Sequence, residues 1–235
     1  MTPETPPWSR TAARPPQELA LRQAMIAACR EMNATGLNQG TSGNISVRLG
    51  ERVIITPSAT PYAAMAPEML AARRLDREDD DWHGPLPPST EWRFHCAILR
   101  DRPDAGAVVH AHPPHATALA IARRPIPACH YMVAAFGGSD VRVAPYATYG
   151  TAELAEAALA ALDGRSACLL ANHGAVTVGP TLDRAMWLMV ELEALARQYV
   201  LSLQIGGPVL LDAAAIEATL QGFASYGAGA NGSSG

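Results

Sequence analysis

The sequence predicts an α/β fold: a mixed, largely antiparallel central sheet flanked by helices on both faces. Three observations carry that expectation. Short apolar or alternating runs suited to strands (ISVRL, RVIIT, AGAVVHAH, CLLAN and AVTVG) are interleaved with segments of helical period. Two links between strand runs, Leu49-Gly50-Glu51 and the stretch around His173, are too short for a crossover and force antiparallel pairing. No Gly-x-Gly-x-x-Gly joins a strand to a helix and no Walker sequence occurs, which sets aside a doubly wound nucleotide fold and a dinucleotide or ATP cofactor.

Taken in order, residues 1–16 are polar and Pro-rich and are expected to form a flexible leader; 17–226 should be a single domain and 227–235 a flexible tail. From Gln17 to Met32, Leu21, Met25, Ala28 and Met32 recur at helical spacing, with Gly36 as the stop. After the polar loop GLNQGTSGN, ISVRL and RVIIT read as a hairpin. A helix is expected from Ser89, whose hydroxyl suits an N-cap, through WRFHCAILRD to a stop at Pro103. The strand AGAVVHAH follows, and Pro113-Pro114 opens the next helix, HATALAIAR. TAELAEAALAAL should be helical up to Gly164. CLLAN and AVTVG then pair around His173, and helices at about 182–203 and 212–221 complete the fold.

At 235 residues and 49% hydrophobic content the chain can bury one sizeable core. Eighteen basic against 22 acidic residues, net charge -4, leave no basic stripe to track phosphates, so nucleic acid is not an expected partner. The run Asp76-Arg77-Glu78-Asp79-Asp80-Asp81 lacks the spaced ligands of a calcium loop and reads as a solvated turn. Four scattered cysteines with no C-x-x-C pair read as small apolar core residues in a reducing compartment. No secretory h-region and no bilayer-length apolar stretch is present, so a cytoplasmic protein with no membrane partner is expected.

The chemistry concentrates in the histidines. His110 and His112, two apart on a strand, project to one face, and His173 follows about sixty residues later. Two imidazoles on one face of a buried strand each need a polar partner or lose a few kcal/mol, roughly, to desolvation. Shared coordination of one ion removes that difficulty, and three protein ligands with an open position suit a catalytic divalent metal. His83, His95 and His115 read instead as surface or satisfied core residues. Glu91 sits at a helix start, where a carboxylate beside a metal can act as a general base or merely answer the helix dipole. Ser89 and Thr90, with Thr41-Ser42-Gly43-Asn44 and Thr56-Pro57-Ser58-Ala59-Thr60, are three small-polar clusters. Each is explained singly by capping and turn chemistry, but together they would make a phosphate pocket if they converged.

GLNQGTSGNISVR, PSTEWRFH, RPDAGAVVHAHPPH, IPACHYMVAAFGG, APYATYGT, NHGAV and the AMWLMVELEALAR helix, in this order from about residue 17 to Tyr226, resemble the class II aldolase/adducin family. The resemblance implies a metal-dependent aldolase. It would cleave a ketose 1-phosphate (L-fuculose 1-phosphate, or a 5-deoxypentulose or 5-methylthioribulose 1-phosphate) into dihydroxyacetone phosphate and an aldehyde through a metal-stabilised enediolate. By that likeness His110, His112 and His173 hold one divalent ion per subunit, zinc with manganese or cobalt as alternatives. Glu91 is the acid/base and can also occupy the metal. Thr41, Gly43, Asn44, Ser58, Ala59, Ser89 and Thr90 bind the sugar phosphate, Tyr131 of an adjacent subunit protonates the aldehyde oxygen, and Tyr226 closes over the site. A homotetramer with sites at subunit interfaces is implied. The same fold also serves sugar-phosphate epimerases, dehydratases and decarboxylases, and non-catalytic adducin-like modules. The chain contains no lysine, so Schiff-base chemistry is excluded from composition alone. Two departures bear on the substrate: Ser58-Ala59 stands where the family's second phosphate loop has Thr-Gly, and Pro113-Pro114 follows the histidine strand.

Overall fold

The structure, a computed structural model, describes residues 15–77 and 81–229, the backbone alone from 224 onward. Most of the expected leader, part of the acidic run and the end of the expected tail lie outside the described residues. Pro16 already opens the first helix, and 227–229 continue the last one.

Helix α1 (Pro16–Ala34) leads into the hairpin β1 (Asn44–Leu49) and β2 (Arg52–Ile55). Then come β3 (Ala71–Arg74), α2 (Trp92–Asp101), β4 (Ala107–Ala111) and α3 (Pro114–Ile121). A 3-10 turn (Tyr131–Phe136), β5 (Arg142–Ala144), α4 (Ala152–Leu162), β6 (Ala167–Leu170), β7 (Gly174–Gly179), α5 (Leu182–Gln204) and α6 (Ala213–Gly229) complete the order. Among the described residues seven strands form one sheet, β3-β2-β1-β4-β7-β6-β5. Only β5 and β6 pair parallel, through the α4 crossover, so the expected mixed, largely antiparallel sheet is what is observed. No helix among the described residues is long and apolar enough to cross a membrane.

Helices cover both faces because the strands are apolar on both faces. On one side Met25, Ile26 and Met32 of α1, Leu119 of α3 and Leu188, Met189, Leu192 and Leu195 of α5 pack on Ile45, Ala107, Val109 and Ala111. On the other, Phe94, Ile98 and Leu99 of α2 and Leu154, Ala158 and Leu162 of α4 pack on Val53, Val108, Val176 and Val178. Alternation along β4 therefore sends Val108 and His110 towards α2 and Val109 and Ala111 towards α1 and α5.

Three expectations are corrected. Ser89 is not the cap of α2; Glu91 occupies that position, and Ser89 Oγ instead accepts the Glu91 backbone N–H at 3.3 Å. Helix α6 runs past the expected end at 221 to Gly229. Strands β3 and β5 were not anticipated, because AARR and RVA are too short and too polar at one end to show a two-residue period. Of the cysteines, Cys29, Cys96 and Cys168 are buried as expected, while Cys129 is half-buried, and all four are free.

The antiparallel register fixes where the interesting side chains meet. Asn44, at the start of β1, pairs with His110 near the end of β4, and Ala111 pairs with Ala175 at the start of β7. Three strand termini thus share one end of the sheet, with the start of α2 above them.

Candidate metal centre

At that end of the sheet the imidazole nitrogens of His110, His112 and His173 come together, all within 4.8 Å of one another. His110 is fully buried within β4, His112 lies one residue past its end, and His173 occupies the tight link between β6 and β7. Gly174 permits the approach: a Cβ there would stand 2.5 Å from His112 Cδ2 and 2.7 Å from the Ala111 carbonyl oxygen. Glu91, only 5% exposed, turns its carboxylate into the same cluster, with Oε2 3.2 Å from His110 Nε2 and Oε1 3.3 Å from His173 Nε2.

The donor set suits a cation. His110 Nδ1 donates to the Ala175 carbonyl oxygen at 3.0 Å, which assigns its proton to Nδ1 and leaves the Nε2 lone pair facing inward. That lone pair faces Glu91 Oε2, itself an acceptor, and His112 Nε2 at 3.1 Å. A proton on His112 could satisfy one of these contacts, but Glu91 Oε1 is buried with no hydrogen-bond partner. An acceptor-rich cluster short of protons, three neutral imidazoles beside a carboxylate, fits a divalent ion on chemical grounds.

Electrostatics keep the rings neutral. Burial pushes His110 down to about 3, with His112 adding to the effect and the Ala175 carbonyl opposing it. Burial likewise takes His173 down to about 4, reinforced by His110 and resisted by Glu91. His112 is lowered by burial against the opposing pull of Glu91. Unprotonated nitrogen is the form that coordinates metal.

The three small-polar clusters do converge. A cleft of about 420 Å³ opens over the histidines, and its walls include Thr41, Gly43, Asn44, Ser58, Ala59, Ser89, Thr90, Glu91, His112 and His173. Asn44 lines it but is buried and engaged on both sides: Nδ2 donates to Glu91 Oε2 at 2.9 Å, and Oδ1 faces His95 Nε2. Ala59 holds a left-handed backbone, φ +49°, a conformation that favours glycine. Tyr131 does not line this cleft; it is half-exposed, beside Phe223 at a ring separation of 6.4 Å. Tyr226 lies on α6, and its side chain is outside the described residues.

Sequence reasoning did not single out Tyr146, Tyr149 or Asn172, which also line the cleft. The first two lie in the APYATYGT motif, and Asn172 at φ +54° precedes His173, a turn position that asparagine tolerates. Among the other histidines, His83 lies near Asp81 at 3.5 Å and His115 Nδ1 lies 2.6 Å from Glu193 Oε1. His95 is wholly buried between two polar partners.

Comparison with known proteins extends the likeness over most of the chain. Residues 23–200 match the family described as class II aldolase and adducin N-terminal domain. The chain is 51% identical over 213 residues to a 5-methylthioribulose-1-phosphate/5-deoxyribulose-1-phosphate aldolase of Rhodospirillum rubrum, covering 91% of this chain and 95% of that one. It is 45% identical over 208 residues to the L-fuculose phosphate aldolase of Escherichia coli strain K12, covering 88% and 95%. A solved L-fuculose 1-phosphate aldolase superposes with a TM-score of 0.83 at 37% identity, covering 87% of this chain and 96% of that one.

Proposed function

Because the chain belongs to the class II aldolase and adducin family, we propose that it is a metal-dependent aldolase that cleaves a ketose 1-phosphate to dihydroxyacetone phosphate and an aldehyde. The observation that carries this reading is a cluster of three neutral imidazoles and one buried carboxylate, of which His112, His173 and Glu91 line a cleft shared with three small-polar loops. A divalent ion held by His110, His112 and His173, with zinc first and manganese or cobalt as alternatives, would supply Lewis-acid stabilisation of the charge that builds as the C3–C4 bond breaks.

The chain's own groups do the rest. Thr41, Ser58, Ser89 and Thr90 bring hydroxyl groups to the cleft, with Gly43 and Ala59 beside them, and this small polar lining suits a phosphate dianion in a site without lysine. Glu91 borders both the histidines and the cleft. Cleavage leaves the C3–C4 electron pair on carbon 3, and Glu91 delivers a proton there; in condensation it removes that proton. Tyr131 of a neighbouring subunit exchanges the proton of the aldehyde oxygen, in keeping with its exposure away from its own chain's cleft. Tyr226, on the terminal helix, closes over the bound substrate. A homotetramer, in the cytoplasm, completes the reading.

For substrate, 5-methylthioribulose 1-phosphate and 5-deoxyribulose 1-phosphate come first, from the name of the Rhodospirillum rubrum relative, followed by L-fuculose 1-phosphate. A coupled assay for dihydroxyacetone phosphate across these three ketoses, on protein whose metal content has been measured, tests the proposal. Release of dihydroxyacetone phosphate from at least one is expected. Metal-loaded protein that releases none, or that returns an isomeric or dehydrated sugar phosphate instead, overturns it.

A further inference from the structure

Four buried polar groups run in a line from the interior to Glu91. Ser46 of β1 is fully buried, and its Oγ lies 2.7 Å from His95 Nδ1. His95 of α2 is equally buried, stacked on Phe94 with ring centroids 4.4 Å apart, and sets Nε2 against Asn44 Oδ1. Asn44 Nδ2 completes the line to Glu91 Oε2 at 2.9 Å.

The proton positions follow from the far end. Glu91 Oε2 accepts from Asn44 Nδ2, so Asn44 turns its NH2 towards Glu91 and its carbonyl oxygen towards His95. That oxygen also only accepts, so His95 carries its proton on Nε2. Its Nδ1 then accepts the Ser46 hydroxyl hydrogen. Burial, with the nearby His110, holds the His95 ring neutral, so the ring has a single N–H to give. Each contact in the line then pairs one donor with one acceptor, and rotating the Asn44 amide by half a turn would set carbonyl against carboxylate and NH2 against N–H.

We propose that His95 is a positioning residue for Glu91, acting through Asn44, with the Ser46 hydroxyl donating to the ring's other nitrogen. The line pins Oε2 of the carboxylate, and it leaves Oε1, which has no hydrogen-bond partner, facing His173. This assignment rests on the reading of Glu91 as the proton-transfer group. It also gives Asn44 a second task beyond lining the cleft, and it explains why a histidine stands in a wholly buried position of α2 between two apolar neighbours, Phe94 and Cys96.

His95→Phe removes the N–H while keeping a ring against Phe94, and His95→Gln restores a donor. Each is compared with the parent for kcat, for KM and, on metal-free protein, for zinc affinity by chelator competition. With His95→Phe, kcat is expected to fall about 10- to 100-fold and zinc affinity about 10-fold, the usual scale for the supporting partners of a metal site, with KM changed less than about 2-fold. His95→Gln recovers most of both. In a Glu91→Gln background, His95→Phe leaves zinc affinity unchanged, because the group it positions is already altered. Unchanged kcat and zinc affinity in His95→Phe, or the same loss of affinity in both backgrounds, overturns the proposal. Should His95→Phe fail a thermal-melt check for folding, Ser46→Ala carries the test with an expected loss of roughly 3- to 10-fold in kcat, and full retention overturns it. If the parent cleaves no ketose phosphate, the aldolase reading fails by itself, and the zinc-affinity comparison still decides the role of His95.

Discussion

His110 Nε2 stands 3.2 Å from Glu91 Oε2 while its Nδ1 is held by the Ala175 carbonyl oxygen at 3.0 Å. The ring that packs deepest at this end of the sheet is therefore oriented by backbone, and its free lone pair is set against a carboxylate. The proposed proton-transfer group and a proposed metal ligand therefore stand within one hydrogen-bond length of each other.

Glu91→Gln preserves the shape of the side chain and removes its capacity to take a proton. Metal content should stay near one ion per subunit, while kcat falls by about 10²- to 10⁴-fold, the range for loss of a general acid or base. Metal analysis alongside steady-state rates checks both halves, and near-normal turnover would remove Glu91 from the proposed role.

His112→Ala deletes one of the three proposed ligands and should abolish stoichiometric metal. Added zinc at about 1,000 times its dissociation constant should stabilise the parent by about 4 kcal/mol, because it binds only the folded state. The variant should show almost none of that gain in a thermal melt with and without zinc. An equal upward shift in the variant would mean that the ion sits elsewhere.

Acid should unfold the metal-free protein early. His110 and His173 are held down to about 3 and about 4, against an ordinary value of 6.5, so between these limits the unfolded chain binds more protons than the folded one. Their contribution is fully present above about pH 6.5 and is lost as pH falls towards 4 and then 3. Urea melts of metal-free protein from pH 7.5 to 4 should show a falling midpoint, and a midpoint insensitive to pH across that window would contradict the burial of the rings.

Tyr131→Phe should slow cleavage while leaving inhibition by inorganic phosphate unchanged. If the hydroxyl serves a neighbouring subunit's site, mixing the impaired Tyr131→Phe and Glu91→Gln chains should regenerate some intact sites. Activity of the re-assembled mixture above that of either parent is the expected result; none would confine both residues to one subunit's site or remove Tyr131 from the reaction.

Ala59 at φ +49° stores strain of about 1 to 2 kcal/mol that a glycine would not. Ala59→Gly should therefore raise or leave unchanged the melting temperature, the relief being offset in part by glycine's greater unfolded-state entropy, and should not raise KM. Ala59→Val should destabilise, since a β-branched residue tolerates that backbone least. Denaturant midpoints for the pair measure both effects.

Much was legible in the chain because it is local. Strand and helix periods placed α1, the β1–β2 hairpin, β4, α4 and the β6–β7 pair. The two-residue spacing of His110 and His112 announced a shared face without any knowledge of the fold. Strands β3 and β5 escaped, since their identity comes from the neighbours they pair with and not from a pattern of their own. The cap of α2 escaped for a related reason: Ser89 is a good cap by composition, but its hydroxyl and the helix start are arranged by the loop that carries Glu91 inwards.

By itself, the sequence determined the fold class, the absence of a lysine nucleophile and the pair of histidines on one strand, all consequences of covalent order and short-range period. Only the tertiary structure decided that His173 and Glu91 join that pair, that three loops far apart in the chain face one cleft, and that Asn44 spends its amide between Glu91 and His95. The reason is the antiparallel register of β1, β4 and β7. It sets the ends of three strands side by side, and no spacing along the chain encodes which ends will meet.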